Sequence, residues 1–210
     1  MPCSRAEWDA KHSLAAKEAS EAPAGILTEL WPLLPTGAAL DLACGRGRNA
    51  IFLAEHGRPV TAVDWSGAAL DLLEKRAQTL NVPARRAQRM EEAKQAGAGI
   101  ALVQADLESA ELEVNSYFLI LCVQYLQRSL FPQICPALRP GGMLLFETYT
   151  KAQLDFSGGP RNPAHLLDRG ELRRAFPELQ TVFYRELRAG QGIASLAARK
   201  PQGGGRQLRD

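Results

Sequence analysis

Ala39-Leu40-Asp41-Leu42-Ala43-Cys44-Gly45-Arg46-Gly47-Arg48-Asn49 reads as a short strand that runs into a small-residue turn and then into a helix. Residues 39–42 are apolar apart from Asp41, and Ala50, Ile51, Leu53 and Ala54 continue at helical spacing. Gly45 and Gly47 supply the backbone freedom that a tight strand-to-helix turn requires. A helix that starts directly above a strand end aims its free N–H groups at whatever occupies the space above the strand. A second apolar run, Val60-Thr61-Ala62-Val63-Asp64, then delivers a carboxylate at its tip. Asp64 falls near the ~20-residue spacing at which such an acid meets the ribose hydroxyls of an adenosine-containing ligand. Turn and acid together predict one nucleotide-type crevice.

The same alternation continues outward. Apolar strand-like runs over 38–42, 59–64, 100–105, 117–123 and 143–149 are separated by helical stretches over 49–56, 67–80 and 130–138. This predicts an α/β fold with a mostly parallel sheet covered on both faces. Arg139-Pro140-Gly141-Gly142 forces a turn before the fifth strand. Two further strands over 180–187 and 193–199 flank Ala189-Gly190-Gln191-Gly192 with hairpin spacing, and Asp168 is placed to cap a helix through Phe176. Residues 81–99, polar and basic, read as an extended helix or a surface insertion. Residues 1–35 are expected to form a helical leader or lid, 36–200 one domain, and the Gly-rich 201–210 a disordered tail.

At 210 residues the chain can bury one continuous core without staples. Lys and Arg number 25 against 23 for Asp and Glu, and a net charge of +2 gives no field strong enough to argue for a nucleic-acid or membrane partner. Cys3, Cys44, Cys122 and Cys135 are widely spaced with no metal-type pairing, which predicts free thiols, no metal site and a reducing, cytoplasmic setting. No apolar run approaches the roughly 18 residues of a membrane span.

The Asp41-x-Ala43-x-Gly45-x-Gly47 turn, the acids at positions 64 and 106 and the Leu138-Arg139-Pro140-Gly141-Gly142 turn together resemble class I S-adenosylmethionine-dependent methyltransferases over about residues 36 to 200. Gly47-Arg48-Asn49, Leu53-Ala54-Glu55-His56-Gly57 and Gly170-Glu171-Leu172-Arg173-Arg174-Ala175-Phe176 are similar to the small-molecule branch that includes the tellurite-resistance methyltransferases. The resemblance implies a single Rossmann-like doubly wound domain whose seven-stranded sheet has the order 3-2-1-4-5-7-6, with its last strand pair antiparallel. It further implies S-adenosylmethionine as cofactor and a small-molecule methyl acceptor. Asp41, Ala43, Cys44, Gly45, Gly47 and Asn49 would hold the methionine end. Asp64, Trp65 and Ser66 would hold the ribose and flank the adenine, with Asp106 and Leu107 at the adenine edge and Cys122 and Gln124 lining the crevice. The family usually carries glycine where Ala43 stands.

Methyl transfer from a sulfonium is an in-line displacement, so the protein mainly aligns nucleophile, methyl carbon and leaving sulfur. A hydroxyl or ammonium acceptor must also lose a proton to a positioned group. Tyr125, Glu147 and Tyr149, at or near strand ends, are the candidate catalytic residues. Cys122-Val123-Gln124-Tyr125 replaces the Asn/Asp-Pro-Pro-aromatic tetrad of amino-group methylases that act on nucleic acids. Other readings are an RNA or protein methyltransferase, a noncatalytic S-adenosylmethionine-binding regulator, and a dehydrogenase whose third fingerprint glycine would fall on Ala50.

Overall fold

A computed structural model describes residues 5–14, 20–93 and 97–202. One eight-stranded sheet organises them, with β1 (Ala39–Leu42), β2 (Pro59–Asp64), β3 (Ala84–Ala87), β4 (Gly99–Gln104), β5 (Tyr117–Val123), β6 (Leu138–Tyr149), β7 (Gln180–Arg188) and β8 (Gly192–Arg199) in the order β3-β4-β2-β1-β5-β6-β8-β7. All neighbours from β3 to β6 pair in parallel; β8 alone runs against the rest, antiparallel to both β6 and β7. The seven expected strands thus stand in the expected order, with one strand added at the edge.

The helices are α1 (Arg5–Leu14), α2 (Gly25–Glu29), α3 (Arg48–Glu55), α4 (Gly67–Thr79), α5 (Met90–Ala93), α6 (Phe131–Ala137) and α7 (Glu171–Arg174). They cover both faces of the sheet because alternate strand residues point to opposite sides. On one face Ala39, Ala62, Leu102, Leu121 and Leu145 pack under Ile26 and Leu27 of α2, Ile51 and Leu53 of α3 and Leu70 and Leu73 of α4. On the other Leu40, Leu42, Val63, Ile120, Cys122 and Phe146 meet Ile134 of α6, Leu172 of α7 and Phe176. Each such Leu, Ile or Phe contributes about 1.5–3 kcal/mol on burial. The central strands are therefore apolar on both sides, and an acid among them, such as Asp41, stands out.

Three expectations need correction. Residues 84–87 form the parallel edge strand β3, where an extended helix or insertion is expected; Arg85 and Arg86 point outward, and Arg86 pairs with Asp71 at 2.5 Å and Glu74 at 3.1 Å on α4. The helix expected to start at Asp168 is a single turn with Gly170, in the left-handed region at φ 71°, at its N-cap; Asp168 instead pairs with Lys151 at 2.6 Å. The Pro140-Gly141-Gly142 turn lies inside β6, whose pairing with β5 shifts register between Tyr117 and Leu119. From residue 24 the leader is part of the core: Ala24, Ile26, Leu27, Leu30 and Leu34 are buried. The tail from residue 203, together with Cys3 and Lys94, lies outside the described residues. Among the described residues no helix is long and apolar enough to cross a membrane, and no group of His, Cys, Asp or Glu is arranged to hold a metal ion.

Candidate functional site

Strand order reverses at β1, since β2 leaves to one side and β5 to the other. A crevice opens at such a switch point beyond the carboxyl ends of the strands. The turn after β1 enters it through three residues in the left-handed region, Ala43 (φ 53°), Gly45 (φ 54°) and Gly47 (φ 74°). Ala43 therefore adopts the conformation for which glycine is the ordinary solution, at a cost of roughly 1–2 kcal/mol. Across the crevice Gln124, just past the end of β5, is equally unusual at φ 59°, and its N–H donates to Glu147 O at 2.7 Å. Two strained non-glycine residues at adjacent strand tips mark the place where the backbone is held to a purpose.

Asp64 ties the turn to the second strand. Its Oδ2 accepts the Gly45 N–H at 2.7 Å and its Oδ1 accepts the Ser66 N–H at 2.9 Å. Ser66, fully buried, caps α4 by accepting the Ala69 N–H at 3.1 Å, and its hydroxyl donates to Asp9 Oδ1 of α1 at 2.6 Å. Asp9 also accepts the Ala68 N–H at 3.2 Å, so α1 is latched over the N-terminus of α4. Trp65 is half-buried between these two contacts, and its carbonyl accepts from Gln104.

Asp41 is the site's least comfortable residue. It is 1% exposed and its Oδ2 has no hydrogen-bond partner. Burial, and next the nearby Asp64, raise its carboxyl to about 7, against weaker opposition from Arg48 and the Ala50 N–H. An unpaired carboxylate oxygen beneath a helix start fits a cationic ligand group, which would supply the missing partner. Burial likewise pushes up the Cys44 and Cys122 thiols, with Asp64 adding to Cys44 and Asp41 to both, so both behave as small apolar fillers.

The remaining residues divide. Asp106 turns the chain after β4, with Oδ1 accepting the Glu108 N–H at 2.9 Å, and Leu107 is buried beside it. Asn49, expected at the ligand, is buried and accepts the Ala24 N–H at 2.9 Å, which makes it an anchor for the leader. Tyr125 is pushed up by burial and then by Cys122, Glu108, Asp106 and Asp64, so its phenol stays protonated at neutral pH and can donate but not act as a base. Tyr149 is half-buried at the end of β6. Glu147, two residues before it, is half-buried and its Oε2 accepts the hydroxyl of Ser195 at 2.6 Å. Sequence reasoning missed Ser195 and Asp9. A lone serine in the apolar run of β8 was the only signal of the first, and nothing local betrays the second.

Beyond β5, Glu108, Gln127, Ser129, Asn162 and His165 line an open cleft of about 400 Å³. Arg128 stiffens its wall through a two-pronged pair with Glu171 at 2.6 and 3.0 Å and bonds to the Ala164 and Leu166 carbonyls.

Comparison with known proteins agrees with this geometry. Residues 40–146 match the methyltransferase domain family. A curated relative, the cypemycin N-terminal methyltransferase of a Streptomyces species, is 30% identical over 158 residues, which is 75% of this chain and 58% of the relative. Among solved structures, TehB from Haemophilus influenzae matches 89% of this chain and 65% of its own at 20% identity and TM-score 0.67. An S-adenosylmethionine-dependent methyltransferase from Mesorhizobium loti matches 84% of this chain and 98% of its own at 20% identity and TM-score 0.63. The chain thus spans less than two thirds of the first two relatives, and the structural likenesses speak for the fold.

Proposed function

We propose, from the premise that this chain belongs to the methyltransferase domain family, that it transfers a methyl group from S-adenosylmethionine to a small-molecule acceptor. The observation that carries this reading is the buried, unpartnered Asp41 Oδ2 below the Gly45–Gly47 turn. The donor carries an ammonium at its methionine end, which is the kind of group that oxygen lacks. Asp64 already fixes the turn with both oxygens, and a carboxylate has about four acceptor positions, so ribose hydroxyls can be added without breaking its bonds to Gly45 and Ser66. Asp106 and Leu107, in the turn just after β4, would meet the adenine edge.

When bound, the donor supplies an activated methyl group on a sulfonium. This chain's own work is to hold it in register and to present an acceptor in line with the methyl carbon. The Asp9–Ser66 and Asp9–Ala68 bonds hold α1 against the start of α4, next to the tip of β2. The name of the curated relative, an N-terminal methyltransferase acting on cypemycin, favours an acceptor outside nucleic acid. We place the protein in the cytoplasm on the strength of its free buried thiols Cys44 and Cys122.

Isothermal titration tests the donor directly. Wild-type protein should bind both S-adenosylmethionine and its demethylated product, and absence of heat with either would end this reading. Asp64→Ala should weaken that binding by about 1–3 kcal/mol, because ribose contacts and the Gly45 and Ser66 anchors are lost together. An unchanged affinity would remove Asp64 from the site. Transfer of labelled methyl from the donor to a metabolite extract, read as label retained in a small-molecule fraction, separates an enzyme from a noncatalytic binder.

A further inference from the structure

Glu147 interrupts the apolar run Met143-Leu144-Leu145-Phe146, and Ser195 interrupts the apolar run of β8, where every residue from Gly192 to Ala198 is buried. The two interruptions face each other across the β6–β8 pair and are bonded at 2.6 Å. Ser195 is 0% exposed, so its hydroxyl has no route to water, and the carboxylate is the partner that accounts for it. Such a pair in a sheet interior costs desolvation that an apolar pair would not, and a use for the carboxylate explains its presence.

The register says where that use lies. Asp41 is aligned with Leu121 and Leu145, and Leu42 with Cys122 and Phe146, so Val123 and Glu147 stand one step higher, level with the start of the Ala43–Gly47 turn. Glu147 shares its face of the sheet with Leu145 and Leu121, and hence with Asp41. Two strand spacings, about 10 Å, separate β6 from β1. Ser195 engages Oε2, and among the described residues no partner takes Oε1.

The surroundings are acidic. Asp41, Asp64, Asp106, Glu108 and Glu147 lie at or just beyond the carboxyl ends of β1, β2, β4 and β6, against Arg46 and Arg48 in the first turn; Arg185, level with Ser195 on β7, is committed to Glu29, and Arg128 to Glu171. A field of this sign draws cations and repels anions.

We propose that the methyl acceptor is an amine, received at the Glu147 carboxylate, with Ser195 as the residue that positions it. This rests on the donor reading above. The amine arrives as an ammonium and gives one proton through Glu147 Oε1 to water. The nitrogen lone pair then forms the N–C bond as the C–S bond breaks, the bonding pair remaining on sulfur. The products are an N-methylammonium, a neutral thioether and one released proton. Glu147 holds and orients the nitrogen, and Ser195 fixes the carboxylate without touching the acceptor.

The test uses the full chain, labelled S-adenosylmethionine and a panel of small primary amines with their matched alcohols, thiols and carboxylates, alongside donor binding by titration and thermal midpoints. Label is expected on amines alone. Glu147→Gln keeps an oxygen for the Ser195 hydroxyl and removes the charge; it should lower kcat/KM for the amine at least tenfold while donor affinity stays within twofold. Ser195→Ala keeps the charge and frees the carboxylate, so kcat should fall several-fold with KM for the amine little changed. Methyl transfer to alcohols, thiols or carboxylates in place of amines would overturn the proposal, as would a donor-binding protein that labels no amine, or unaltered amine kinetics in Glu147→Gln. Failure of the wild type to bind the donor would instead strike the donor reading, which the titration reports separately.

Discussion

Asp41→Asn will give a protein that is more stable than the wild type at pH 8 and that has lost most of its affinity for S-adenosylmethionine. The wild-type carboxyl is raised from 3.8 to about 7, first by burial and then by Asp64. Below pH 3.8 it is protonated in folded and unfolded chains alike and adds nothing to the balance. Between pH 4 and 7 the unfolded chain ionises while the folded one does not, so stability falls as pH rises through this window. Above the folded value both states are ionised and the folded state carries the whole penalty, on the order of 4 kcal/mol for a shift of this size. Asparagine removes the charge at nearly the same volume. A thermal or denaturant titration at pH 4 and pH 8 should therefore show variant and wild type close together at the lower pH and the variant clearly ahead at the higher. Donor binding should move the other way, since the variant offers no charge to an ammonium. In the wild type, affinity should fall as pH drops below 7, with proton release on binding in that range. A variant that is no more stable at pH 8, or that binds the donor normally, contradicts the role given to Asp41.

Gly47→Ala should cost stability and donor binding together. Gly47 is the N-cap of α3 at φ 74°, and a Cβ built there falls 2.0 Å from Cδ1 of Leu73, a fully buried side chain of α4. The left-handed conformation costs alanine roughly 1–2 kcal/mol and the overpacking about 1–3 kcal/mol more. The expected loss is about 2–5 kcal/mol in unfolding free energy, with weakened donor binding because Gly45 and Gly47 belong to one turn. The double variant Gly47→Ala, Leu73→Ala makes room for the methyl but leaves the backbone cost. It should show less than the sum of the two single losses. Full additivity would mean that the two residues do not meet.

Much of this arrangement was legible in the chain. β1, β2, β4, β5 and the second half of β6 are largely buried on both faces and so appear as mainly apolar runs, while their order in the sheet came from the family resemblance and not from the runs themselves. β3 escaped because Ala84-Arg85-Arg86-Ala87 is an edge strand with a solvated middle: backbone pairing to β4 holds it, and side chains do not announce that. The site followed the same division. Asp41, Gly45, Gly47 and Asp64 belong to one strand-turn-strand segment and could be read locally. Asn49 could not, because its partner Ala24 lies in the leader, and neither could the Asp9–Ser66 and Glu147–Ser195 bonds, which join residues far apart in sequence. Tyr125 was legible as a residue near the crevice but not as a phenol kept protonated first by its burial and then by the groups around it.

β8, the one strand that runs against the others, lies between β6 and β7 and not at the rim. During synthesis the ribosome therefore delivers β7 before the strand it must pair with, and β6 keeps an open edge of backbone donors and acceptors until residues 192–199 emerge. A nascent chain halted before that point has built most of its sheet yet exposes the long apolar edge that invites pairing with another chain. Closing it also brings Ser195 under Glu147, so β8, made after both its neighbours, completes the carboxylate's setting as it fills the sheet.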